Sequence, residues 1–325
     1  MNFDVESGDA IARPVILFVL GMGRSGTSAL TRVLSLCGAT LPSGMMGADA
    51  GNPRGYWEPR AALQLNEKFL YGHGSTYFDP TLRLQADGAL SNEEKASFVA
   101  KIGAYLHTLP AAPVVLIKDL HVSVLSGMWF EATRRAGFDI AAVIAVRHPQ
   151  EVSASLSKLM RRDSPELSGA LWLKYNLLAE RATRHLPRVF VEYANFLDDW
   201  RREVKRISNV LPIDLDAGDG VAVEEFLEPN LRRQRERGRV TEPFGTDWLS
   251  VAYEDLSTAA RDDPWDQSEL DRILAQYEMS ERGFRMVHDD FHYAFDNLRF
   301  RFSRKFMRPL YEGFAIAHGR KGTWA

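Results

Sequence analysis

One stretch near the start of the chain constrains the fold more than any other. Pro14-Val-Ile-Leu-Phe-Val-Leu-Gly21 is a continuous apolar run, Gly21-Met-Gly-Arg24-Ser-Gly-Thr27-Ser28 is a glycine-rich turn, and the residues that follow have helical periodicity. An uninterrupted apolar run of this length reads as a strand buried on both faces. Gly21, Gly23 and Gly26 allow the backbone to curl tightly. Successive N–H groups and the positive end of the next helix then converge on one point, which is how a chain builds an anion cradle.

The rest of the sequence extends this strand–turn–helix unit. Strand-like runs at 14 to 20, 113 to 118, 139 to 146 and 188 to 193 alternate with helical patterns at 26 to 37, 60 to 70, 91 to 107, 122 to 136, 150 to 160, 166 to 184 and 195 to 209. Such alternation predicts an α/β fold, a three-layer parallel sheet with helices on both faces. With 325 residues, 45% of them hydrophobic, the chain can enclose one large core. The expected division is a core over 1–240 and a mostly helical C-terminal extension over 241–325.

The turn departs from a nucleoside-triphosphate loop in one respect. Where G-x-x-x-x-G-K-[ST] carries lysine, this chain has Thr27, and the cation stands three positions earlier as Arg24. Losing that lysine removes the main point charge on β- and γ-phosphates, which weighs against ATP or GTP hydrolysis. A second anchor follows the run Asp139 to Val146: Arg147-His-Pro149 opens a helix, and Ser155 lies eight residues past Arg147. Arginine offers a planar fork of donors to a phosphate, and a serine about one turn into the helix adds a hydroxyl on the same side. Two anion sites, each at a strand-to-helix turn, fit a nucleotide phosphorylated at both ends of its ribose.

These two elements together resemble the sulfotransferases that use 3′-phosphoadenosine 5′-phosphosulfate (PAPS), and the absence of an anchor segment is similar to the bacterial soluble type. The likeness covers roughly residues 14 to 235. It implies a P-loop-like sulfotransferase fold, with Gly23, Arg24, Ser25, Gly26, Thr27 and Ser28 on the 5′-phosphosulfate and Arg147 and Ser155 on the 3′-phosphate. Arg24 would stabilise charge growing on the leaving 3′-phosphoadenosine 5′-phosphate (PAP). Val189-Phe-Val-Glu-Tyr193 resembles the strand that brings a tyrosine to the adenine, and Phe226-Leu-Glu-Pro-Asn-Leu-Arg232-Arg233 resembles a loop that closes over the 3′-phosphate. Arg232 and Arg233 also read as part of a solvated charge run.

Sulfonate transfer to a hydroxyl needs a base. Glu58, in the turn-rich segment Gly51-Asn-Pro-Arg-Gly-Tyr-Trp57-Glu58-Pro59, is the first candidate; a carboxylate there can equally stabilise the start of the helix that follows. His121, in Lys118-Asp119-Leu-His121, is the rival, and Lys118 can reach the transferring sulfonate. Asp119 reads as a helix cap. Family members with a glutamate base imply a carbohydrate or glycoconjugate acceptor. The other readings of the loop are a P-loop small-molecule kinase and a non-catalytic nucleotide-binding module.

Composition limits the partners. A net charge of −3 argues against general nucleic-acid binding. The single cysteine, Cys37, allows no internal disulfide and reads as core. No hydrophobic leader and no membrane-length apolar run is present, so the expected location is cytoplasmic. No cluster has convincing metal-ligand spacing, His288-Asp-Asp-Phe-His292 included, and no metal is expected. The aromatic and basic run from Phe300 to Tyr311 reads as a helix docked on the core or a homodimer contact.

Overall fold

A computed structural model of the chain describes residues 13–49, 51–158, 164–216, 218, 220–227 and 240–296. Side chains at 283 and 286–296 are outside that description, as are Arg232, Arg233 and the 300–311 run.

Among the described residues, four strands form one parallel sheet: β1 (Val15–Gly21), β2 (Val114–Lys118), β3 (Asp139–Val146) and β4 (Arg188–Glu192), in the order β2-β1-β3-β4. Each coincides with a predicted strand to within two residues, as expected for apolar runs with no alternative use. Because successive side chains point to opposite faces, β1 feeds two cores. Ile16, Phe18 and Leu20 join one, while Val15, Leu17 and Val19 join the other. Burying a side chain of this size stabilises the fold by about 1.5–3 kcal/mol, so a polar residue in β1 would damage a core on either face.

One face is covered by α3 (Asn92–Leu106), α5 (Ser126–Arg135), α7 (Pro165–Thr183), α11 (Trp248–Ala260) and the first turns of α12 (Ser268–Asp296). The other holds α1 (Thr27–Leu36), α9 (Trp200–Val210) and α10 (Val221–Phe226), with Cys37 fully buried among them. Helices therefore lie on both faces, as predicted, and α11 packs directly on β3 and β4. The fold is α/β. Among the described residues, no helix is long and apolar enough to cross a membrane.

Two predicted helices are each two helices. The segment expected at 122 to 136 divides into α4 (His121–Val124) and α5 at Leu125, whose ψ of 19° breaks the helical run. The segment expected at 195 to 209 divides into α8 (Tyr193–Asp198) and α9 at Asp199, whose side chain accepts a hydrogen bond from the Arg202 N–H and caps α9. Periodicity continues through both breaks, and only the second carries a local mark, the Asp199 cap. The remaining helices, α2 (Arg60–Gly72) and α6 (Pro149–Ser157), both begin at the carboxyl end of the sheet side of the molecule. There β1, flanked by β2 and β3, opens the crevice in which α/β folds bind ligands.

Candidate functional site

The crevice is a cavity of about 890 Å³, lined by the glycine turn after β1, the 51–58 loop, α2, the 76–78 segment, the ends of β2 and β3, Ser155 and Lys158 beyond β3, and Tyr193 after β4. It lies at the upper end of the ~300–1,000 Å³ usual for ligand sites.

The turn itself is shaped by conformations rare for side-chain-bearing residues. Gly26 has φ +89° and precedes α1; a Cβ there would fall 2.1 Å from the Tyr193 ring. Arg24, unlike a glycine, also takes a left-handed φ of 70°. Such strain costs on the order of 1–3 kcal/mol and persists only where surroundings over-determine it. At Arg24 the surroundings are explicit. Its carbonyl accepts from Arg147 Nη1 at 2.8 Å, its Nε donates to Ser155 Oγ at 2.9 Å, and its Nη2 donates to the Gly51 carbonyl at 3.2 Å.

The two anchors read separately from the sequence, more than 120 residues apart, thus touch. Arg147 is 7% exposed, and its Nε donates to Glu151 Oε2 at 2.7 Å. Its guanidinium lies 4.7 Å over the Tyr193 ring, within the same cavity that Gly23, Arg24, Gly26, Thr27 and Ser28 line. Pro149 occupies the first turn of α6, which suits its fixed φ. The helix starts at Pro149, one residue before the expected 150, and Ser155 lies about 1.7 turns in rather than one. Ser25 is the exception in the turn. It is fully buried, does not line the cavity, and its Oγ has no hydrogen-bond partner among the described residues.

The 49–58 loop folds across the turn. Ser28 Oγ and Lys118 Nζ both donate to the Tyr56 carbonyl, at 3.1 and 3.2 Å, and Asn52 Nδ2 donates to Ser28 Oγ at 3.3 Å. Trp57 takes φ 56° and packs under Arg32, 4.6 Å from its guanidinium, outside the cavity lining. This twist delivers Glu58, 8% exposed, to the cavity, where Oε1 accepts from Lys118 Nζ at 2.5 Å. No side chain hydrogen-bonds the start of α2, so stabilisation of that helix by Glu58 would act through charge alone.

Continued as an extended strand, residues 118 to 121 would place Lys118 and His121 on opposite faces. The chain leaves β2 at Lys118 and turns into α4, so Lys118 and His121 line the same cavity instead of pointing to opposite faces. Asp119 is fully buried; its Oδ1 accepts from the His121 N–H at 2.9 Å and pairs with His121 Nδ1 at 2.7 Å, while the N-cap position of α4 is taken by Leu120. Asn66 Nδ2 donates to Asp119 Oδ2 at 2.8 Å, and Trp129 Nε1 donates to Asn66 Oδ1 at 2.9 Å. Burial by itself would lower the imidazole pKa, yet the adjacent Asp119 carboxylate, with Glu58 and Glu67 farther off, raises it overall. For Asp119, burial acts upward, but His121 and the hydrogen bonds from His121 and Asn66 hold it below the usual carboxylate range.

Several lining residues gave no sequence signal: Asn52, Tyr56, Glu67, Tyr71, Tyr77 and Phe78. Tyr77 matters most. A Cβ on Gly23 would fall 2.1 Å from its hydroxyl, and its ring meets His121 edge-on at 6.2 Å between centroids. Only the Glu67 and Tyr71 spacing on one helix, four residues apart with Leu63 four before, was available to find them. Tyr253-Glu-Asp-Leu256 lies on α11 away from the cavity, and Tyr253 donates to Glu192 Oε1 at 2.7 Å.

Comparison with known proteins adds little. No family model matches the chain, and no curated protein matches it. Among solved structures the chain is similar to the sulfotransferase domain from the Synechococcus PCC 7002 olefin synthase, at 19% identity over 82% of this chain and 95% of that one, with a TM-score of 0.42. At that TM-score the likeness is too loose to carry an assignment.

Proposed function

We propose that this chain is a PAPS-dependent sulfotransferase that moves a sulfonate onto an acceptor hydroxyl. One observation carries the reading: Arg147 and Ser155, from the β3–α6 corner, meet the lysine-free glycine turn in a single cavity that also contains Glu58, Lys118 and His121. The residues fit the donor. Gly26, with no Cβ, admits the Tyr193 ring against the turn, and Arg24, Arg147 and Lys158 supply positive charge to the cavity. Arg24, Thr27 and Ser28 would hold the 5′ end, Arg147 and Ser155 the 3′-phosphate, and Tyr193 the adenine side. Arg232 and Arg233 remain candidates from sequence for the 3′-phosphate.

Bound PAPS supplies an activated sulfonate: a bond forms between the acceptor oxygen and sulfur, the bond from sulfur to the phosphate oxygen breaks, and its electron pair leaves with PAP. His121 is preferred over Glu58 as the base in this proposal. Its Nδ1 is held by Asp119, an orienting partner of the kind catalytic histidines use, which leaves Nε2 to take the acceptor proton. Glu58, bonded to Lys118, positions that ammonium for the sulfonate.

The test is thermal stabilisation by PAP, ATP–Mg²⁺ and GTP–Mg²⁺ in parallel, followed by ³⁵S transfer from labelled PAPS. A ligand bound only by the native state raises the melting temperature by mass action. Selective stabilisation by PAP supports the proposal. A larger shift with ATP–Mg²⁺ favours a small-molecule kinase, and PAP binding without any turnover favours a regulatory nucleotide-binding module.

A further inference from the structure

Resting on that donor reading, we propose that Tyr77 is a further catalytic residue: its hydroxyl donates a hydrogen bond to a sulfonate oxygen of the donor and orients the group for in-line attack. The neighbours of this hydroxyl point to that role. A Cβ built on Gly23 would fall 2.1 Å from Tyr77 Oη, so the oxygen lies against the glycine turn, one residue before Arg24. The ring meets His121 edge-on at 6.2 Å between centroids. Glu58 and Arg24 both act on the phenol electrostatically, with opposite signs. Arg24, His121 and Glu58 with its partner Lys118 are the groups assigned to the reacting end, and Tyr77 lines the cavity with them.

The chemistry of the hydroxyl fits a donor. Burial and the Glu58 carboxylate push its pKa up, and Arg24 offsets only part of this, so the phenol stays neutral near neutral pH. Among the described residues its hydroxyl makes no hydrogen bond, which leaves its proton to a ligand in the cavity. In the transfer step the acceptor oxygen bonds to sulfur, the bond from sulfur to the phosphate oxygen breaks, and its electron pair leaves with PAP. The acceptor proton goes to His121 Nε2. Tyr77 keeps its own proton throughout.

The fold also fixes the segment that carries Tyr77. Tyr175 Oη donates to the Tyr77 carbonyl at 3.0 Å, Lys174 Nζ to the Asp79 carbonyl at 2.8 Å, and Tyr277 Oη to the Pro80 carbonyl at 2.6 Å. The first two donors come from α7 and the third from α12, and all three side chains are buried. Burial pulls the Lys174 pKa down to about 8. Such an ammonium is costly to bury, yet it is directed at a backbone carbonyl two residues past Tyr77. Within the segment, the Phe78 N–H donates to Thr76 Oγ1 and the Asp79 N–H to the Thr76 carbonyl, both at 3.1 Å, closing a turn. Apolar packing is non-directional and needs no such fixation. A hydrogen-bond donor aimed at a reacting group does, because misplacement by about 1 Å can cost on the order of 10²-fold in rate.

The experiment compares the native chain with Tyr77→Phe, which keeps the ring and removes only the hydroxyl. PAPS and PAP are each titrated by calorimetry, and release of ³⁵S-sulfate from labelled PAPS follows transfer to water, which needs no added acceptor. The variant should bind PAPS about tenfold or more weakly, the scale of a hydrogen bond to a charged group. PAP, which has no sulfonate, should bind both chains within about twofold, and ³⁵S release should fall about 10²-fold, as when one donor to a reacting group is removed. Unchanged PAPS affinity overturns the inference, and so does an undiminished rate of release. Equal losses for PAPS and PAP overturn it too, because the hydroxyl would then serve the turn as a whole. The two readings fail separately: a native chain that binds neither ligand sinks the donor reading, whereas native binding that Tyr77→Phe leaves intact sinks this inference alone.

Discussion

The two ends of the cavity use the same local device for opposite purposes. At each, a glycine without a Cβ lets a tyrosine press against the turn: Tyr193 against Gly26, Tyr77 against Gly23. At the Gly26 end the tyrosine ring underlies the Arg147 guanidinium, so the contact holds a cation over the turn. At the Gly23 end the ring stands beside His121 and Tyr175, so the contact builds an apolar wall next to a titrating group. The difference teaches that the turn alone does not set what it binds. The side chains that later segments bring against it do.

The comparison breaks most sharply at the base. His121→Asn should lower turnover by about 10²–10⁴-fold, the usual contribution of a general base, while PAP affinity at the other end stays unchanged. Full turnover in that variant, with loss in Glu58→Gln instead, would return the role to the carboxylate. The next effect is at the cationic end. Arg147→Ala should weaken PAP roughly 10- to 100-fold, corresponding to the ~1.5–3 kcal/mol of a hydrogen bond to a charged group, and spare adenosine 5′-phosphosulfate, which lacks the 3′-phosphate. Equal losses for both ligands, read by calorimetry, would remove Arg147 from the 3′-phosphate.

Smaller effects separate the two glycines. Gly26→Ala combines a left-handed φ with an approach to the Tyr193 ring and should cost on the order of 1–3 kcal/mol in unfolding free energy. Gly23→Ala meets the Tyr77 hydroxyl and the end of Leu120, both of which can shift, and should cost less in denaturant titrations. The reverse order would mean that Tyr77 is the more rigid partner.

The smallest expected effect is in pH dependence. A raised His121 pKa puts the ascending limb of kcat/KM above the pH of an ordinary histidine, because the neutral imidazole is the base. Asp119→Asn removes the carboxylate that raises it and should move the limb to lower pH; a limb that stays put would show that another group titrates. The pair's stability has the opposite alkaline sign. The raised His121 contributes stability that is complete below the unfolded histidine pKa and disappears as pH climbs through the folded value. The depressed Asp119 contributes stability present above the unfolded aspartate pKa and lost as pH falls through its folded value. The difference in melting temperature between the native chain and His121→Gln should therefore shrink as pH rises past neutrality.

Much of this was legible in the amino acids. Apolar runs such as Val15–Gly21 and Asp139–Val146 have few alternatives to a buried parallel strand, and a glycine turn feeding a helix is a local motif whose geometry follows from its own residues. Arg147 and Ser155 were readable because strand, proline and helix place them in order along one segment. What tertiary structure alone decided is which distant segments share a wall. The left-handed turn at Trp57 brings Glu58 onto Lys118, the bend after β2 brings His121 beside Lys118, and the α2 and 76–78 segments supply a face that the four-residue spacing of Leu63, Glu67 and Tyr71 marked only in part. Local propensity is carried by neighbours in the chain, whereas a cavity wall is assembled from residues tens of positions apart, and only packing chooses which of their side chains meet.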